Sequence, residues 1–564
     1  MKYIAFMAAA LVFLYIRYRI GVRRSRASWE ERLKTQWGQA PDRQYADGDM
    51  KRISRYYQMF RDGDSEIDEI TWNDLGMDDI FKLVNHTRSS IGEEALYRML
   101  RLPVCREEVL RERSRLADLF SGDRQLALEM EKQFSLIGKN GRQALCDYIA
   151  GLNDQPCRSN GVHYLGIAAL AAAACVFFVS AGAGVMSVVA VLVFQMVTYY
   201  RDKAQMEAWF SSVAKVVGLV CSGEAICRLP GTEALSSYVG PLKEQVELLD
   251  PVRKRGSLIA MGNAMGGSPL DLIADYMKML IHTDLIAYNQ IIRLVREREA
   301  AIWRAVEILG QLECGLAVAS FREYLGTWCR PVLTAEDAQE RLSLCAEELY
   351  HPLIRNPVPN TVQAYRCQLI TGSNASGKST FLKTVAVNAV LAQTIYTVAG
   401  KSYEAPFYQI CSSMALTDNL MGGESYYMAE IRSLKRILDR GHDRLPVLCF
   451  VDEVLRGTNT VERIAASSWI LRSMADMNIL CFAATHDREL TVLLESWYEN
   501  GHFEEEITDG DILFSYRLYP GRAAGRNALR LLGLMGYDGE VLARAASMAK
   551  RFDRDGIWSM DDES

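Results

Sequence analysis

The chain has 564 residues, 49% apolar and 24% charged, with 64 basic against 70 acidic side chains and a net charge of −6. This composition excludes a disordered chain and a protein coated all over in basic charge, though a local basic stripe is compatible with it. The 13 scattered cysteines include no C-x-x-C pair and the seven histidines no H-x-x-x-H pair. That excludes a zinc ribbon and a thioredoxin-type motif, argues against a helical zinc site, and predicts reduced, mostly buried thiols.

Residues 3–16 form a run without a charge, followed by Arg17, Arg19, Arg23, Arg24 and Arg26. A signal peptide carries its positive charge before the apolar run, so this run reads as an uncleaved anchor, extended toward a ~20-residue span by snorkelling arginines. Residues 27–62 are polar, with Trp29, Trp37, Tyr56 and Tyr57 as anchors, and read as a juxtamembrane linker or helix. From 67 to 138 the apolar spacing is helical, as in Leu96, Met99 and Leu100.

Residues 163–200 contain no Lys, Arg, Asp or Glu, and residues 180–184, Ser-Ala-Gly-Ala-Gly, have a turn composition. Two apolar helices flanking that turn, with Tyr164, Tyr199 and Tyr200 at the interface and Arg201 and Lys203 beyond it, predict a transmembrane hairpin. The other reading is an apolar hairpin inside a soluble core. The arginines after the first run put residues 17–162 on the cytosolic side, and a hairpin returns residues 201–564 to that side. The expected location is the inner, cytoplasmic membrane, with a multi-pass topology.

Helical pattern resumes from 206 to about 349. From 363 onward, short apolar runs at 367–371, 448–451 and 480–484 alternate with helices, as strands buried on both faces of a parallel sheet do. Gly372, Ser373, Asn374, Ala375, Ser376, Gly377, Lys378 and Ser379 fit G-x-x-x-x-G-K-[ST] at every position, between the strand 368–371 and a helix expected over 380–399. The glycines let backbone N–H groups curl around an anion at a helix N-terminus. Lys378 is expected at the β- and γ-phosphates of a nucleotide and Ser379 at Mg²⁺. The apolar strand 446–451 delivers Asp452 to the metal, and Glu453 stands one residue on, where a carboxylate polarises an attacking water. A third strand ends at Thr485 and His486, where an imidazole reads the γ-phosphate state. The fold class expected is α plus α/β: transmembrane helices and an extended α-helical core joined to a P-loop, ABC-like α/β ATPase domain.

The nucleotide loop, residues 371–380 from Thr371 to Thr380, resembles that of the MutS family of DNA mismatch repair ATPases. So do residues 452–460, close to the family's D-E-x-x-R-G-T-x-T, and Ala484, Thr485 and His486, matching A-T-H. Ser425 to Glu430 is similar to the family's S-T-F-x-x-E segment, whose serine enters the partner subunit's ATP site; a helix cap is the other reading of Ser425. His351, Pro352 and Leu353 with Pro359 and Asn360 resemble the family's approach to the ATPase, 87–103 the start of its helical core, and 516–521 with 541–549 its C-terminal dimerisation element. Residues 1–65 carry no F-x-E wedge and leave no room for a mismatch-reading domain.

The apolar runs and the resemblance together predict seven regions: an anchor (1–20), a linker (21–65), the helical core's first part (66–160), a transmembrane hairpin (161–201), the core's second part or lever (202–350), the ATPase (351–520) and a dimerisation element (521–564). The resemblance implies a homodimeric, Mg²⁺-dependent ATPase with composite ATP sites acting on duplex DNA, and the apolar runs add the lipid bilayer as a partner. In this reading Glu453, Lys378 and His486 are catalytic, residues 372–380 and Ser425 hold ATP, and Ser379 and Asp452 hold the metal. The alternatives are an ABC-type membrane motor or transporter component, whose L-S-G-G-Q signature is missing, and a structural membrane protein with a degenerate nucleotide fold.

Overall fold

The computed structural model describes residues 17–560 except 18, 22–23, 26, 62–65, 142, 261–275, 335–341, 374–375, 415–425, 456–457, 509–510, 524–528, 530–531, 534–535, 557 and 559. The chain divides into two compact units. One comprises residues 1–63, 81–101 and 111–326, the other residues 64–80, 102–110 and 327–564.

The first unit is helical. Its core gathers α1 (Ser90–Arg101), α2 (Leu145–Asn153), α3 (Gly161–Phe177), α4 (Ala181–Cys227) and α5 (Glu299–Leu325) with shorter helices. Leu33, Trp37, Ile53 and Tyr57 are buried within this unit. Two buried carboxylates close helix starts whose amides would otherwise lack partners. Glu313 accepts from the backbone N–H groups of Arg88 and Ser89 at 2.5 and 2.8 Å. Glu94 accepts from Leu145 N at 2.6 Å and Cys146 N at 3.4 Å, at the start of α2.

Helices α3 and α4 form the hairpin expected from the uncharged stretch, but not as two equal spans. The first has 17 residues and the second 47. Among the described residues, α4 is the one helix long and apolar enough to cross a membrane, and α3 falls short of that length. The run at 3–16 lies outside the described residues. The turn expected over 180–184 sits earlier, because Ala181 already begins α4. The small residues there permit close approach rather than a turn: a Cβ on Gly184 would meet the Cα of Phe177 at 2.4 Å. Leu165, Phe177, Phe178, Val179, Met186, Val189 and Val193 are exposed. Polar contacts gather at the hairpin root, where His163 and His282 approach at 2.9 Å through their Nδ1 atoms and Tyr199 donates to Asp284 at 2.9 Å.

The second unit contains two sheets. A four-stranded sheet has the order β1 (Val332–Thr334), β5 (Ser402–Pro406), β2 (Leu344–Leu349), β3 (Asn360–Ala364). The sequence reading carried the helical pattern to about 349, across β1 and β2. The strands are three to six residues long and only half-buried, so their alternation is too short to stand out from an amphipathic helix. The six-stranded sheet has the order β10 (Asp511–Pro520), β9 (Tyr498–Thr508), β4 (Cys367–Thr371), β8 (Ile479–Ala484), β7 (Val447–Asp452), β6 (Gln409–Ser413). All its pairings are parallel except β9 with β10. Every residue of β7 and β8 is buried, as strands covered on both faces require. Leu434 and Ile437 of α7 (Tyr426–Arg440) and Leu471 and Met474 of α8 (Thr460–Ala475) pack on one face together with Cys367, Cys411, Cys449 and Cys481. The cysteines act here as small hydrophobes. α6 (Lys378–Thr394) follows β4 directly. It ends earlier than the helix expected over 380–399, where Asn388 accepts from Ala399 N at 2.7 Å and turns the chain into the next segment.

Candidate nucleotide-binding site

The site forms at the carboxyl edge of the parallel sheet, where α/β sheets bind their ligands. Register sets it: Ile370 of β4 pairs with Ala484 of β8, which pairs with Asp452 of β7. The three strand ends therefore deliver the loop, Asp452 and His486 side by side. Gly372 and Gly377 bracket the loop with φ of +145° and +103°, left-handed conformations that a side chain would strain. Ser376 folds back on the loop, donating through Oγ to Ser373 O at 2.7 Å.

Lys378 is the first residue of α6 and is buried. Its Nζ donates to Gly372 O at 2.6 Å and Ser373 O at 2.8 Å, so the loop holds its ammonium at the helix N-terminus. Ser379 Oγ donates to Asp452 Oδ2 at 2.5 Å. Asp452 Oδ1 is buried and has no hydrogen-bond partner among the described residues. An acceptor left in that state costs about 1–3 kcal/mol unless a cation or donor meets it. The hydroxyl and carboxylate therefore fit Mg²⁺, which takes one or two protein ligands and completes its shell with phosphate and water. Among the described residues no group of three or more His, Cys, Asp or Glu side chains forms a self-sufficient metal cage.

Glu453 has φ +58°, outside the region ordinary side chains prefer. Such strain costs on the order of 1–3 kcal/mol and gathers at functional sites. Two contacts enforce it: Glu453 N donates to Ala484 O at 2.9 Å, and Leu455 N donates to the buried Glu430 carboxylate at 2.5 Å. Glu453 Oε1 lies 2.8 Å from His486 Nε2, which puts the imidazole proton on that nitrogen. Lys378 Nζ is 3.4 Å from the same nitrogen. Lys378, His486 and Glu453 thus converge on one point.

Thr380 is exposed one residue beyond Ser379. Asn374, Ala375 and Ser425 lie outside the described residues, as do Arg456 and Gly457 of the D-E-x-x-R-G-T-x-T segment. The sequence reading named Glu430, Asn360 and Tyr516 within motifs without giving them a place at the site. Glu430 fixes the turn after Asp452. Asn360 accepts from Leu518 N at 2.8 Å and donates to Tyr516 O at 3.0 Å, bridging the irregular stretch of β10. The Tyr516 ring consequently lies 3.2 Å from where a Cβ on Gly377 would be. Beside the loop is a cavity of about 410 Å³ lined by Tyr350, His351, Asn360, Thr380, Phe381 and Tyr516, among others. Burial, with the charge of Lys383, pushes the His351 imidazole down to about 4, so it is neutral at pH 7. The signal for this cavity was the spacing of the 351–360 segment ahead of β4, which carries no chemistry by composition alone.

A buried parallel sheet with a glycine-bracketed phosphate loop and a strand-end carboxylate defines a P-loop nucleotide-binding domain. Comparison with known proteins gives it a family: the profile of MutS domain V matches residues 368–553. The chain is 30% identical over 258 residues to the DNA mismatch repair protein MutS of Thermus thermophilus, covering 45% of this chain and 31% of that protein. It is 29% identical over 290 residues to the MutS of Lactobacillus acidophilus, covering 49% and 33%, and 32% identical over 184 residues to the DNA mismatch repair protein MutS 2 of Haloarcula marismortui, covering 32% and 19%. Over residues 368–553 the chain is therefore similar to MutS domain V, and the relatives found are MutS proteins. It spans about a third or less of the length of the curated relatives it matches.

Proposed function

We propose that this chain is a Mg²⁺-dependent ATPase that works as a homodimer on duplex DNA, from a cytoplasmic membrane that its apolar hairpin enters. The convergence of Lys378, His486 and Glu453 beside the Ser379–Asp452 pair carries the reading. Lys378 would meet the β- and γ-phosphates, and His486 would sense the γ-phosphate and release or retain Glu453 accordingly. Glu453 would take the proton of the attacking water as the bond to the γ-phosphorus forms and ADP leaves. Mg²⁺, held by Ser379 and Asp452, supplies charge neutralisation at the phosphates. The cavity beside the loop, with its aromatic walls and neutral His351, suits a purine base.

Glu453→Gln is the test. It keeps the side-chain volume and removes the base, so nucleotide affinity is expected to stay within about twofold while turnover falls roughly 10²–10⁴-fold. Turnover at the parent rate would remove Glu453 from this role.

The dimer and DNA readings draw support from the MutS domain V match and the names of the relatives. If Ser425 serves the neighbour's site, mixing Lys378→Ala protein with Ser425→Ala protein restores turnover, because one site of the heterodimer is then intact. No recovery despite subunit exchange would leave Ser425 as a helix cap. Filter binding with duplex DNA tests the substrate directly. The membrane reading draws support from the exposed apolar faces of α3 and α4. A cysteine at Gly182 is expected to label from outside the cell and one at Gly48 to stay protected.

A further inference from the structure

Two motif segments that meet at the nucleotide site are joined by an ion pair that belongs to neither motif. Arg463 lies in the first turn of α8, just after the 452–460 segment. Its guanidinium donates through Nε to Asp487 Oδ2 at 3.0 Å and through Nη2 to Asp487 Oδ1 at 2.7 Å. This is the bidentate fork geometry in which Arg fixes a carboxylate in direction as well as distance. The two side chains are 25% and 18% exposed, so the pair is largely shielded from solvent.

Asp487 follows His486 directly and occupies the N-cap position of α9 (Arg488–Leu493), yet its side chain caps no amide. Aspartate at an N-cap ordinarily accepts from the first turn of its helix. Here both carboxylate oxygens are turned to Arg463. The residues on the other side of His486 are also tied: Asp487 N donates to Thr485 Oγ1 at 3.0 Å, and Thr485 N donates to Ile370 O of β4 at 2.9 Å. The His486 side chain is 38% exposed, with Glu453 Oε1 at 2.8 Å and Lys378 Nζ at 3.4 Å from its Nε2. The anchors that flank it set the backbone from which the ring reaches those two partners.

We infer that Arg463 and Asp487 are a positioning pair that keeps His486 between Lys378 and Glu453 and links the phosphate-sensing turn to the first turn of α8. The inference rests on the ATPase reading of the site. Neither residue touches the reacting atoms; both act through His486. A change in the His486 turn on loss of the γ-phosphate pulls on α8 through the same fork.

Arg463→Gln and Asp487→Asn each remove the charged fork with little change of shape. Each is expected to lower kcat by roughly ten- to a hundredfold, as small misplacements of reacting groups do. KM and the affinity for a fluorescent ATP analogue should stay within about twofold, and the melting temperature close to the parent's. The deciding measurement is the same pair of substitutions in a His486→Ala background. If the pair acts through His486, neither lowers kcat further there. Unchanged kcat in the single variants, or an equal loss with His486 already removed, overturns the proposal. Failure of the ATPase reading looks different: the parent itself then turns over no ATP. The pair is in that case judged by the ratio of affinities for a non-hydrolysable ATP analogue and ADP. Asp487→Asn must lower that ratio in the parent and leave it unmoved in the His486→Ala protein, and any other result overturns the proposal.

Discussion

Strand β8 and helix α3 are both uncharged apolar segments, and they meet opposite fates. All six residues of β8 are buried. In α3 only His163, Gly166 and Ala173 are, while Leu165 and Phe177 face outward. The sheet finds its apolar partners within the chain, in α7 and α8. Among the described residues the hairpin does not, and an exposed apolar surface of this extent is of the kind that marks an interaction site. Composition alone does not separate the two cases. What separates them is whether the neighbouring sequence supplies a covering layer.

The sharpest way to break this contrast is to truncate one aromatic side chain in each region. Phe450 of β7 is 0% exposed and stacks on Phe482 with ring centroids 5.6 Å apart. Phe450→Ala is expected to cost about 3–5 kcal/mol, seen as a fall in the denaturation midpoint of the second unit. Phe178, beside the hairpin turn, is 90% exposed. Phe178→Ala is expected to change folding stability in detergent by no more than about 0.5 kcal/mol. Equal costs at the two positions would mean that the hairpin is covered by protein.

A charge tests the outside partner itself. Val189 lies midway along the apolar part of α4 and is exposed. Val189→Asp is expected to oppose membrane insertion by about 2.5–3.5 kcal/mol, measured by flotation with liposomes. The detergent-solubilised fold should be unaffected. Unchanged flotation would take α4 out of the bilayer.

These contrasts also explain what could be read from the sequence. That Lys378, Ser379, Asp452, Glu453 and His486 come together was legible because the motifs set particular residues at fixed spacing, and the strands that carry them are continuous apolar runs. The four-stranded sheet was not, since β1, β2 and β3 are short and half-polar. Tyr516 and Asn360 reach the site only through the pairing of β9 with β10 and a backbone bridge, neither of which has a local signal. The Arg463–Asp487 fork spans 24 positions between two helix starts and is visible only once β7 and β8 are in register. In the hairpin, apolar length was legible, but the turn was misread because Ala and Gly serve close packing as readily as they serve a bend.

The two units also differ in what they bury. The sheet layer around β7 packs thiols and hydrocarbon and buries its carboxylates, Asp452 and Glu430, at the site, whereas the helical unit buries Glu93, Glu94 and Glu313. Burial pushes Glu94 up to about 8, against two backbone hydrogen bonds that favour the charged form. The folded state therefore binds this proton more tightly than the unfolded chain, whose glutamate titrates near 4.5. Stability from this group is fully present below about pH 4.5 and is lost as pH rises toward 8, with a limiting slope of about 1.4 kcal/mol per pH unit. Glu94→Gln should flatten that slope in urea titrations of the helical unit between pH 5 and pH 8. A slope identical to the parent's would assign the pH dependence to another group.

The smallest expected effect compares two helix starts. Asn459 and Ser180 are both favoured N-cap residues, and both have extended backbone, with ψ of 155° and 116°. Asn459 Oδ1 accepts from Glu462 N at 3.0 Å, closing the first turn of α8. Ser180 makes no side-chain cap at the start of α4, although its carbonyl accepts from Gly184 N at 2.8 Å. Asn459→Ala is accordingly expected to cost about 1 kcal/mol in the stability of the second unit, while Ser180→Ala changes the first by a few tenths at most. The comparison matters for the site because α8 carries Arg463 in the turn that Asn459 closes. If the cap also steadies the fork, Asn459→Ala lowers turnover in the parent and has no further effect once Arg463 is Gln. If Asn459 only closes the helix, the stability loss appears without a change in kcat, and the Arg463–Asp487 fork holds without the cap.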